Sequence, residues 1–148
     1  MSVVKSAPVR RDLCASELPE HPRPAGQDAY TISEVSAWTG LTAHTLRWYE
    51  RIGLMPDVLR SHTGQRRYTN RDLDWLDFVG KLRLTGMPVA DMVRYAEMVR
   101  AGDHTYAGRC ELLTAHREDV RRRITELQDT LDVLDYKINL YTEGPGTA

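Results

Sequence analysis

The sequence predicts a mainly α fold: a winged helix-turn-helix head with a small β-hairpin wing, a helical pair, and a long C-terminal coiled-coil helix. Three observations carry this. Two short helix patterns are separated only by Thr39-Gly40-Leu41, an arginine-bearing hairpin pattern follows over 58–68, and apolar residues repeat with a period of about 3.5 from Leu113 to Tyr141. A chain of 148 residues that is 41% hydrophobic suits one domain, or one domain with an appendage, around a modest core.

Residues 1–29 hold four of the seven prolines and no sustained periodicity, so a flexible N-terminal tail is expected. The head is expected over 30–102. Its helix starts are written in capping grammar. Tyr30-Thr31-Ile32-Ser33-Glu34-Val35 places a hydroxyl cap at Thr31, a Glu three positions later and apolar residues at both staple positions. The grammar returns in Tyr68-Thr69-Asn70-Arg71-Asp72-Leu73, with Asp72 in place of Glu, and more weakly in Leu41-Thr42-Ala43-His44-Thr45-Leu46. Helices are therefore expected to begin near 32, 43 and 70. Gly40 and Gly53 suit positions just past helix ends, and Gly86 with Pro88 sets off a fourth helix ending near Ala101-Gly102. Between the second and third helices, residues 58–68 alternate around His62-Thr63-Gly64-Gln65, the pattern of a small hairpin with arginines on its arms.

Charge is concentrated where these elements meet. The net charge is only -1, yet residues 44–71 carry six arginines (47, 51, 60, 66, 67, 71) against Glu50 and Asp57, while the segment after 110 is acidic. On a helical wheel starting at Ala43, His44, Arg47, Trp48 and Arg51 share one arc of about 100°, and Leu46 and Tyr49 lie roughly opposite it. Leu46 and Tyr49 are expected to pack on Val35 and Ile32 of the first helix. The cationic arc suits duplex DNA, because guanidinium groups pair with phosphates or guanine edges and a flat ring can lie on sugar and backbone atoms. Trp48 has two readings, on the DNA face or packed beneath the wing.

The final pattern, Leu113, Val120, Ile124, Leu127, Leu131, Leu134, Ile138 and Tyr141, forms a seam that calls for a second helix, with dimerisation expected over 103–141 and a flexible tail over 142–148. No second long seam exists in the chain, so self-association is expected, loosened where Arg117 occupies a seam position. Cys14 and Cys110 stand far apart without CxxC companions, and the five histidines have no HExxH-like spacing, so no disulfide, metal, cofactor or catalytic centre is signalled. Cys110, near the start of the long helix, reads either as an effector-sensing or redox thiol or as a small buried hydrophobe. No long apolar run and no secretory signal is present, and a cytoplasmic location is expected.

The stretches YTISEVSAWTGLTAHTLRWYERIGL and RSHTGQRRYTNRDLDWLDFVGKLRLTGMPVADM resemble the DNA-binding domain of the MerR family of bacterial transcription regulators, and LDVLDYKINLY resembles the end of that family's long helix. The resemblance implies a homodimer with antiparallel long helices. It also implies a near-palindromic operator in double-stranded promoter DNA, and a distorted promoter spacer that lets RNA polymerase engage both promoter elements. Carried over by position, it assigns DNA contacts to Arg47 and Trp48 on the second helix, to Arg60 and Arg66 on the wing, to Tyr68 at the wing end and to Arg83 on the third helix. Thr42, His44, Thr45, Arg51 and Arg67 complete the candidate face. Gln65 stands where many members have an aromatic residue. Cysteines that bind soft metals in relatives have no counterpart after Tyr141, and Lys81 occupies the stretch where an electrophile-sensing cysteine is sought, so the effector is open. Two alternatives remain at this point: an architectural or excisionase-like DNA binder, and a coiled-coil adaptor without a DNA partner.

Overall fold

The computed structural model describes residues 23–146, and they fall into two units divided after Arg100. The first unit contains α1 (Ile32–Thr39), α2 (Ala43–Arg51), β1 (Leu59–Arg60), β2 (Arg66–Arg67), α3 (Asn70–Leu84) and α4 (Val89–Ala101). The second contains a 3-10 turn (Asp103–Thr105) and α5 (Tyr106–Glu143).

The helix ends follow the local chemistry. Thr31 and Glu34 form a reciprocal capping box at α1, as Thr69 and Asp72 do at α3. Each such cap is worth about 1 kcal/mol relative to alanine. Thr42 caps α2 singly by accepting from the Thr45 amide at 3.0 Å. Gly40 ends α1 at φ 73, a left-handed conformation that an L side chain adopts only with strain, and this lets α2 begin three residues later. Thr39 secures the bend from inside: its hydroxyl donates to the Val35 carbonyl at 2.7 Å and accepts from the Leu41 amide at 3.2 Å.

The wing is a two-stranded antiparallel hairpin pairing Leu59 with Arg67 and Arg60 with Arg66. Its turn is closed by the Ser61 amide donating to the Gln65 carbonyl at 2.7 Å. The wing is extended by one bridge outside the expected hairpin. Tyr30 and Tyr68 exchange both backbone hydrogen bonds, at 2.8 and 2.9 Å, tying the start of α1 to the end of the wing.

The core of this unit lies where α1, α2 and α3 meet. Val35, Leu46, Tyr49, Leu73, Leu76 and Val79 are buried there, each apolar side chain contributing about 1.5–3 kcal/mol by leaving water. Leu46 and Tyr49 are inside, as their wheel positions require. Trp75 stacks on Tyr95 of α4 with ring centroids 5.7 Å apart and donates its indole N–H to the Leu54 carbonyl at 2.9 Å. That bond fixes the chain where it leaves α2.

Residues 23–29, expected as part of a tail, are anchored on the start of α3. Arg23 pairs with Asp74, Asp28 accepts from the Asn70 amide, and the Tyr30 hydroxyl donates to the Asn70 side-chain oxygen at 2.7 Å. The polar composition that suggested disorder here supplies hydrogen bonds to a helix N-terminus instead. Residues 1–22, including Cys14, lie outside the described residues, as do 147–148.

The long helix spans 38 residues, about 57 Å at 1.5 Å per residue. Its start is tied by Arg109, whose guanidinium lies 4.8 Å over the Tyr106 ring and donates to the Gly102 carbonyl at 2.9 Å. Leu113 and Val120 are half-buried, whereas Ile124, Leu127, Leu131, Leu134, Ile138 and Tyr141 are all exposed within the single chain. The helix continues past Tyr141 to Glu143.

Candidate nucleic-acid interface

The face is assembled on α2 and the wing, with the buried side of α2 setting which residues turn outward. Because Leu46 and Tyr49 are buried, His44, Arg47 and Arg51 are exposed, and Trp48 is half-buried with its ring 5.7 Å from that of Tyr49. One part of the indole is therefore packed and one part open. Thr42 and Thr45 are engaged with each other at the N-cap, their hydroxyls 3.0 Å apart, which leaves Thr42 exposed at the mouth of the helix.

The wing and α2 are joined through one carboxylate. Glu50 Oε1 accepts from Arg60 Nη2 at 3.1 Å, and Glu50 Oε2 accepts from Arg66 Nε at 2.5 Å. Arg60 also donates to the Gly64 carbonyl at 3.2 Å, bracing the turn. Arg67 is half-buried, its guanidinium turned along the hairpin toward the Arg66 carbonyl and the Gln65 side chain at 3.4 and 3.5 Å. Sequence reasoning counted Glu50 only as a charge subtracted from the cluster. The available signal was its place at the end of α2, next to a hairpin with arginines at paired positions.

Tyr68, expected among the contacts, is fully buried, and its hydroxyl has no hydrogen-bond partner among the described residues. Burial pushes its pKa up from the ordinary 10.0, partly offset by the field of Arg66. The charges of Glu50, Asp72 and Arg47 also act on this hydroxyl. Arg83 is exposed on α3, and it donates to the Tyr49 hydroxyl at 3.2 Å, linking α3 to α2. Burial also raises the Asp72 carboxyl above its ordinary 3.8, against two hydrogen bonds at Thr69 that lower it.

Cys110 is exposed on the first turns of α5, with its sulfur 3.9 Å from the Thr114 hydroxyl, so the single chain does not bury it as a small hydrophobe. It stands three residues before Leu113 and thus on the same seam. No helix among the described residues is long and apolar enough to cross a membrane.

A helix pair turned at Gly40, a basic hairpin clasped to the second helix and a long helix with an uncovered apolar seam together define a winged helix-turn-helix protein of the DNA-binding class. Residues 30–98 match the family described as MerR HTH family regulatory protein, and residues 73–136 match that described as MerR, DNA binding. A helix-turn-helix transcriptional regulator of Haemophilus influenzae is 39% identical over 112 residues, covering 76% of this chain and 83% of the relative. The crystal structure of a MerR family transcriptional regulator from Listeria monocytogenes aligns with a TM-score of 0.74 at 37% identity, over 78% of this chain and 87% of that one. HiNmlR, a MerR family regulator lacking the sensor domain and crystallised bound to promoter DNA, aligns with a TM-score of 0.72 at 38% identity, over 78% of this chain and 91% of its own. The chain belongs to the MerR family of transcriptional regulators.

Proposed function

We propose that the chain acts in the cytoplasm as a homodimer on a promoter, with α2 in the major groove and the wing on the flanking backbone. It regulates transcription by changing the geometry of the DNA between its two half-sites, and it has no catalytic role. The observation that carries this reading is the joining of α2 to both wing strands through Glu50, which sets Arg60 and Arg66 of the wing beside the helix that exposes Arg47 and Arg51. Phosphate contacts set affinity and register, and base-edge contacts from the outward residues of α2 set sequence.

Two features of α5 support dimerisation and its direction. The seam exposes six large apolar side chains, from Ile124 to Tyr141, that the single chain leaves in water. Charge also reverses along the helix. Four arginines stand among residues 117–123 against Glu118 and Asp119, whereas Glu126, Asp129, Asp132, Asp135 and Glu143 stand against Lys137 alone. Antiparallel pairing lays each basic half on the partner's acidic half, while parallel pairing sets acid on acid. Two heads at a fixed spacing then demand a half-site separation that relaxed DNA need not have, and bending or untwisting the intervening pairs costs about 1–6 kcal/mol. Coupling that distortion to RNA polymerase makes it a regulatory signal.

The test is selection of duplexes from a random-sequence library by the full chain, followed by footprinting of the enriched sequence. The expected product is a near-palindrome with two protected half-sites. Recovery of a pool without two-fold symmetry, or of no enriched sequence at all, refutes the reading.

A further inference from the structure

Glu50 presents a puzzle on the proposed DNA face: a carboxylate placed among arginines weakens the attraction of that face for a polyanion. Its geometry resolves the puzzle. The side chain is 19% exposed, and its two oxygens divide their work, Oε1 receiving Arg60 from β1 and Oε2 receiving Arg66 from β2. Because the hairpin pairs Arg60 directly with Arg66, both guanidinium groups reach the same carboxylate from adjacent strands. Arg66 uses only its Nε in this contact, at 24% exposure, and its terminal nitrogens carry no hydrogen bond among the described residues. A guanidinium held by Nε offers its two terminal nitrogens as a fixed fork of the kind that matches a phosphate.

We propose that Glu50 is the positioning residue of this face, a carboxylate buttress that holds the wing arginines at a set height and angle relative to α2. Phosphate contacts by the wing and base contacts by α2 are then made in a single register. The inference rests on the proposed DNA-binding reading and deepens it: Glu50 lowers affinity for DNA in general and raises discrimination between a matched site and any other. Without it, Arg60 and Arg66 retain their charge and lose their direction, so they neutralise phosphates wherever these lie.

The experiment compares the parent, Glu50→Gln and Arg66→Lys, each as the full chain. Two labelled duplexes are used, one selected from a random-sequence library by the parent and one a scramble of the same composition. Binding is measured by fluorescence anisotropy over a salt series. For Glu50→Gln, the ratio of selected to scrambled affinity is expected to fall about tenfold, while scrambled DNA binds more tightly and its salt slope steepens by about one unit. Arg66→Lys keeps the charge and has no Nε to engage Glu50 while also forking onto a phosphate; it is expected to lose the ratio with an unchanged slope. Equal tightening of both duplexes by Glu50→Gln would overturn the proposal, since Glu50 would then act only as a repelling charge. If Glu50→Gln fails to fold by circular dichroism, Arg66→Lys decides, and an unchanged ratio in that variant overturns it. A parent that enriches no duplex defeats the DNA-binding reading itself, a different outcome from either.

Discussion

Replacing Tyr68 by Phe separates the stability of the head from its binding of DNA, because only the first is expected to change. The ring of Tyr68 is fully buried and its hydroxyl has no partner among the described residues. An unsatisfied buried polar group costs about 1–3 kcal/mol, so removing the oxygen while keeping the ring is expected to stabilise the DNA-free protein by about 1 kcal/mol. For a chain of this size that corresponds to a rise in Tm of about 3–6 °C, compared at equal protein concentration because dimer stability depends on it. The hydroxyl is as enclosed as the ring, so in this conformation of the head it makes no contact with a backbone phosphate. A hydrogen bond from it to a phosphate would be worth about 1.5–3 kcal/mol, or about 10–100-fold in affinity, so its enclosure is expected to leave binding of the selected duplex within about twofold of the parent. The measurements are a calorimetric melt without DNA and an anisotropy titration with it. A lower Tm would show that the hydroxyl is satisfied in the free protein, and an affinity lowered by about 10-fold or more would place it in the interface; either refutes the reasoning.

Arg47→Ala is expected to weaken binding to the selected duplex by about 1–3 kcal/mol while leaving helix content unchanged, and retained affinity would show that the exposed arc of α2 faces away from DNA. Leu131→Asp puts a charge into the middle of the seam and is expected to give a monomer by sedimentation equilibrium, with DNA affinity lowered at least about 100-fold by loss of the second head; a persisting dimer would place the interface elsewhere. Asp72→Asn tests the cap of α3. Burial raises the folded pKa of Asp72 above its ordinary 3.8, so its contribution is most favourable when protonated and is lost as pH rises from the unfolded value through the folded one. Asn keeps an acceptor for the Thr69 amide without the charge, so urea melts at pH 7 are expected to show equal or greater stability than the parent, with the difference vanishing below pH 3.8.

The sequence was most informative where structure is decided within a few residues. Thr31 with Glu34, Thr69 with Asp72 and Gly40 each act on backbone groups three or four positions away, and the helices begin and end where those groups require. Burial of Leu46 and Tyr49 follows from the period of one helix, and exposure of the α5 seam follows from its length. What sequence alone did not disclose spans distance. Glu50 meets Arg66 across sixteen positions, Arg23 meets Asp74 across fifty-one, and the Tyr30–Tyr68 bridge closes across the whole helix-turn-helix. The first two are polar pairings of common surface residues and the third is a backbone bridge between buried tyrosines, and no periodicity announces any of them. The same limit explains the misplaced expectation for Tyr68. Its position at the wing end indicated a contact with DNA, but the ring is large and apolar and the end of the wing carries it into the core, where burial of the ring outweighs exposure of one hydroxyl. The ring therefore holds the wing to the head, and the oxygen is carried into the core with it.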